Sequence, residues 1–234
     1  MYSRNWKNSV FRKLYFSCLT IALVMIFAFV YNMFSTMNYG LQLSMMTNVG
    51  VINIVAPMIS SSIQTALWAN FLINLSFVIL YLWNFKLLIT GARRKDFLLS
   101  FIVISLSYIG QALAPIYFTL NCAAITEDFL SKPTDMLYLG NVFVGTIWGI
   151  PIFPEYIIWL DLLSKVAMSA CIIFFFVILS KTDEIINVID INTINYILYI
   201  SFAIYIVGLF VPLLMYIVRL AFFMLFLALS YTFS

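Results

Sequence analysis

From Ile194 to Phe233 the chain carries one charge, Arg219, in an otherwise apolar and aromatic run. A membrane crossing needs about 20 apolar residues. The run is therefore too long for one crossing and just long enough for two with a turn. Pro212 stands near its middle, where a proline ends or kinks a helix. Two helices over 194–210 and 213–233, joined by a tight turn at Gly208–Pro212, meet both constraints. Helices of about 15–18 residues reach only roughly 22–27 Å, less than the roughly 30 Å hydrocarbon core. Both are expected to be short, thinning the bilayer locally or sitting inside a bundle.

Four earlier apolar runs, at about 14–34, 63–88, 97–118 and 155–179, meet the same length criterion. The whole chain is 65% hydrophobic and 9% charged. Soluble domains are about one quarter charged, so lipid must solvate most of this surface. The expectation is an all-α integral membrane protein, one polytopic domain over 1–234 with six transmembrane helices. Arg4, Lys7, Arg12 and Lys13 precede the first run in the manner of a signal peptide. That run is longer than the roughly 7–15 residues of a signal core and has no small-residue cleavage site, so it reads as a retained first helix. The uncharged segment Ser35–Ser62, with Gly40, Gly50 and Pro57, is expected to lie in the interface or pack on helix ends.

Basic residues set the orientation. Four precede the first helix, and Lys86 and Arg93–Lys95 fall between the second and third. The positive-inside rule places both termini and the Arg93 loop on the side of synthesis. The acidic Lys181–Thr193 loop, with Asp183, Glu184 and Asp190, falls on that side too.

There is no histidine, and the three cysteines are widely spaced. His-based metal sites and Ser-His-Asp or Cys-His nucleophiles are excluded, and no Gly-rich phosphate motif is present. Neither enzyme activity, metal, cofactor nor nucleic-acid partner is expected. The polar residues inside the apolar runs are the candidates for chemistry. Asp161 and Lys165 stand four apart on one helix face. They read either as a neutralising pair near the outer interface or as a buried polar site facing a cavity. Asn70, Asn74 and Gln111 read as interhelical packing amides or as part of a polar groove. Arg219 reads as a side chain snorkelling near the last turn. Tyr81, Trp83 and Phe85 fit an interfacial aromatic belt. Arg93–Lys95 fits a topology signal in contact with anionic lipid.

The order of these features resembles the TatC family, the multi-spanning core subunit of the twin-arginine protein translocase. Phe11-Arg12-Lys13-Leu14 matches its basic start into helix 1. Ser76-Phe77-Val78-Ile79-Leu80-Tyr81-Leu82-Trp83-Asn84-Phe85 resembles its Val-Ile-Leu-Tyr-Gln-x-Trp-x-Phe phrase at the end of helix 2, with one residue fewer between Tyr and Trp. Arg93-Arg94-Lys95-Asp96 stands where the family has a Glu-Arg-Arg loop, and Val207–Pro212 where it turns between helices 5 and 6. Tyr108-Ile109-Gly110 is a weaker counterpart of a helix 3 phrase. The family's N-terminal glutamate falls near Val10 and its buried helix 4 glutamate near Ile172; Asp96 is the acid nearest the first inner loop.

The resemblance implies a cup-shaped bundle that binds signal peptides and moves folded proteins with the proton-motive force. The implied contacts are Arg12, Lys13, Arg93, Arg94, Lys95, Asp96, Asp183 and Glu184. The implied partners are membrane lipid, signal peptides, single-span TatA/TatB-like subunits and further copies in an oligomer. The implied location is a bacterial cytoplasmic or mitochondrial inner membrane, with the N-terminus on the cytoplasmic or matrix side. Two competing readings are an accessory subunit of a respiratory or ATP-synthase complex and a small-solute or ABC-type permease subunit.

Overall fold

The computed structural model describes residues 2–45, 51–88, 94–180 and 191–232. Every regular element among them is helical: α1 (Tyr2–Met45), α2 (Ile52–Leu88), α3 (Arg94–Leu120), α4 (Cys122–Ser131), a 3-10 segment (Pro133–Leu139), α5 (Gly140–Val144), α6 (Glu155–Ser180), α7 (Ile191–Phe210) and α8 (Leu213–Thr232). Apolar runs in lipid must satisfy their own N–H and C=O groups, and a helix does so within one segment. Four stretches, Arg12–Met45, Ile52–Asn84, Lys95–Leu120 and Leu213–Tyr231, are long and apolar enough to cross a membrane. The chain is a helical integral membrane protein.

The long helices form a closed ring. α1 packs between α8 and α2, α3 between α2 and α6, and α7 between α6 and α8. Two apolar clusters fill it at different levels. One joins Leu14, Ile21, Phe77, Tyr81, Ile104, Met168 and Phe226. The other joins Tyr39, Ile59, Ile63, Phe118, Phe129, Phe143 and Ile157. The first marks the end holding the start of α1, the end of α2, the start of α3 and the C-terminus of α8; we call it the near end. The second marks the far end.

Three sequence expectations are corrected here. The described parts of Ser35–Ser62 are not a separate segment between helices, because Ser35–Met45 continues α1 and Ile52–Ser62 opens α2. At 1.5 Å per residue the 44 residues of α1 and 37 of α2 reach about 66 and 55 Å, well past a roughly 30 Å core. Nothing between Ser35 and Met45 is charged or proline, and Pro57 falls so early in α2 that only its first turn is disturbed. The two extensions pair as a hairpin, with Gln42 Nε2 donating to Ser62 Oγ at 3.2 Å. α4 and the 3-10 segment fold on it: Thr126 Oγ1 donates to Ser60 Oγ at 2.7 Å and Tyr39 Oη to the Met136 carbonyl.

The last two helices run longer than the expected length of about 15–18 residues, though they remain the shortest of the ring. Each has 20 residues, about 30 Å, because α7 starts at Ile191 and takes Asn192 and Thr193 into its first turn. The break between them falls at Val211 and Pro212.

Tyr81 does not belong to an aromatic belt. Residues 81 and 83 lie on opposite sides of a helix; Trp83 is exposed, while Tyr81 is fully buried and donates to the Cys171 carbonyl. Tyr81→Phe should lower stability by about 1 kcal/mol, the net worth of one hydrogen bond, read as a reduced unfolding temperature in detergent. An unchanged temperature would count against the bond.

Gly110 of α3 lies directly against α6. A Cβ there would collide with Ser164 Oγ.

Candidate functional site

Between the two apolar clusters lies a polar layer, and it starts from a short helix. α5 spans five residues, Gly140–Val144, and packs against α1, α2 and α8. A helix leaves its last carbonyls without partners inside the helix. Gly145 ends α5 in the left-handed conformation (φ 92°), with its N–H donating to the Val142 carbonyl at 3.0 Å.

Three long-helix side chains reach the carbonyls at this end of α5. Asn70 Nδ2 of α2 donates to the Val142 carbonyl at 3.1 Å and to the Ala66 carbonyl at 3.0 Å. Arg219 Nη2 of α8 donates to the Val144 carbonyl at 3.4 Å and to Asn70 Oδ1 at 3.1 Å. Lys165 Nζ of α6 donates to the Gly145 carbonyl at 2.9 Å and pairs with Asp161 one turn earlier. Cations favour the carbonyl end of a helix, and here they also meet hydrogen-bond acceptors that lipid could not supply.

The layer extends toward α3. Asn74 Nδ2 donates to Gln111 Oε1 at 3.0 Å, and Gln111 Nε2 approaches Met168 Sδ at 3.8 Å. Thr146 Oγ1, just past Gly145, donates to the Leu209 carbonyl of α7 at 3.2 Å. A cavity of about 30 Å³ lies between Asn70, Asn74, Gln111, Asp161 and Lys165. A second, of about 70 Å³, lies on the other side of Lys165 and reaches Arg219.

The six intramembrane polar residues of the sequence reading therefore form one group around Gly145. One reading of the sequence is corrected and one alternative left open there is closed. Arg219 does not snorkel: it is buried and turned inward, because the α5 carbonyls and Asn70 offer partners inside the ring. Asp161 and Lys165 are both buried and line a cavity, so they are no neutralising pair in the headgroups.

The described residues among those expected to contact signal peptides fall at the near end. Arg12, Lys13 and Lys95 are exposed and Asp96 is half-buried. The Arg12 guanidinium stands 5.9 Å from the Phe16 ring centroid. Arg94 opens α3, while Arg93, Asp183 and Glu184 lie outside the described residues.

Sequence reasoning missed Gly145, Thr146, Ser169 and Tyr205. Gly145 was one of several glycines in a loop, and no spacing rule singles it out. Ser169 carried one usable signal: it follows Asp161 and Lys165 at further four-residue steps, on the same helix face.

No family model, curated protein or solved structure matches the chain. The fold and the site define an all-helical integral membrane protein with a buried, charged polar layer in its interior.

Proposed function

We propose that this chain is the multi-spanning core subunit of a twin-arginine-type protein translocase, with six crossing helices and its near end facing the cytoplasm or matrix. One observation carries the reading: the Val78–Phe85 phrase closing α2, followed by the basic Arg93–Asp96 link into α3. The geometry is compatible with it. The phrase puts Val78, Tyr81 and Asn84 into the bundle and leaves Trp83 outside. Arg12, Lys13, Lys95 and Asp96 gather at one end, where a signal peptide would meet basic and acidic groups together.

A guanidinium pair in a signal peptide needs carboxylate or carbonyl acceptors, best met in bidentate fashion. Asp96, in the first turn of α3, is the described acid best placed to supply one. Asp96→Lys is expected to reduce photo-crosslinking of a twin-arginine signal peptide about tenfold, the scale of one charge-assisted contact. Unchanged crosslinking would remove Asp96 from the binding surface. The reading also predicts that the chain purifies from its native membrane with single-span helical subunits. A stable, stoichiometric place in an oxidative-phosphorylation complex would overturn it in favour of an accessory subunit.

A further inference from the structure

Arg219 is 8% exposed, and its Nη1 has no hydrogen-bond partner among the described residues. Its other terminal nitrogen is fully used, on Asn70 and the Val144 carbonyl, both neutral. No described carboxylate forms an ion pair with it; the buried acid of this layer, Asp161, is taken by Lys165. The layer thus holds two buried cations and one buried anion, an excess of one positive charge. An uncompensated charge in such a place is costly, and membrane proteins retain one where it meets a counter-charge or a polar cavity.

Arg219 lines the cavity of about 70 Å³. The space is bordered by residues of α1, α2, α6, α7 and α8, and no acid is found among its lining residues. Lys165, Asn74, Ser169 and Tyr205 also face it. Lys165 has three N–H donors and two of its acceptors are already named, Asp161 and the Gly145 carbonyl. The walls therefore carry two cations and no acid, within a layer whose net charge is one positive. A water needs roughly 10–15 Å³ of such space, so there is room for an ion of water-like size and a few waters.

We infer that this cavity binds one small monovalent anion, of the halide or nitrate class, held between Arg219 and Lys165. Charge decides the valence, because a divalent anion would leave the layer negative. The site is independent of the translocase reading.

The test is thermal unfolding of the purified full-length chain in detergent, titrated with sodium bromide against sodium gluconate at constant ionic strength. Bromide should raise the unfolding temperature saturably and gluconate should not. Arg219→Gln should weaken half-saturation about thirtyfold or more, the usual scale for losing one partner of a buried charged contact. An absent shift, an equal shift with gluconate, or a bromide response unchanged in Arg219→Gln would overturn the assignment. Should Arg219→Gln fail to fold, anomalous scattering from bromide-soaked wild-type crystals decides. A peak in the cavity beside Arg219 supports the site, and a cavity without one overturns it.

Discussion

Lys165→Met is expected to destabilise the protein by about 3–5 kcal/mol, the cost of leaving a buried ion without its partner. Here the stranded ion is Asp161, buried beside the Gly145 carbonyl that Lys165 also serves. Removing both charges together should behave differently. Asp161→Leu with Lys165→Met replaces the pair by apolar side chains of similar volume, a change that is often neutral or stabilising for buried pairs. The double variant should recover most of the loss and keep only the deficit of the uncovered Gly145 carbonyl, about 1–3 kcal/mol. Chemical unfolding in detergent of the wild type, both single variants and the double variant measures the coupling. A double-variant loss equal to the sum of the Lys165→Met and Asp161→Leu losses would mean that the pair is not coupled in the folded protein.

Gly145→Ala carries the second large effect, and Gly149→Ala is its internal control. Both glycines have positive φ, 92° and 74°, where a side chain is strained. Ala at either position should cost about 1–2 kcal/mol for the left-handed backbone. At Gly149 a Cβ would meet nothing within 4 Å, so the cost ends there. At Gly145 the Cβ would stand 3.0 Å from Arg219 Nη2 and 3.4 Å from Asn70 Oδ1. It would push apart the contact that ties α8 to α2, raising the total to about 2–4 kcal/mol. Equal unfolding temperatures for the two variants would show that Arg219 yields freely.

The helices were legible because lipid enforces them. A run without charge has no other way to satisfy its backbone, so α3, α6 and the division at Pro212 follow from residue type alone. The Ser35–Ser62 segment was not legible for the same reason in reverse. Once past the bilayer thickness, apolar length stops predicting a helix. What keeps α1 helical there is Tyr39 packing on Phe143, with ring centroids 4.9 Å apart, and Gln42 bonding Ser62. Those are tertiary contacts.

The polar layer shows the same division. Asn70, Asn74, Gln111, Asp161, Lys165 and Arg219 each stood out as a polar residue in an apolar run. Their convergence did not, because it depends on five residues of α5 reaching into the ring and presenting carbonyls there. Arg219 illustrates the difference. In isolation a membrane arginine seven residues into a helix can reach the interface. Only the Val144 carbonyl and Asn70, both distant in sequence, draw it inward.

The translocase reading is tested most directly by offering the wild-type chain, in sealed vesicles, two signal peptides that differ only in their basic pair. The twin-arginine peptide should crosslink to the near end, around Arg12 and Asp96, and the twin-lysine peptide should not, because an ammonium cannot reproduce the bidentate guanidinium contact. Equal crosslinking of the two, or none with either, would contradict it.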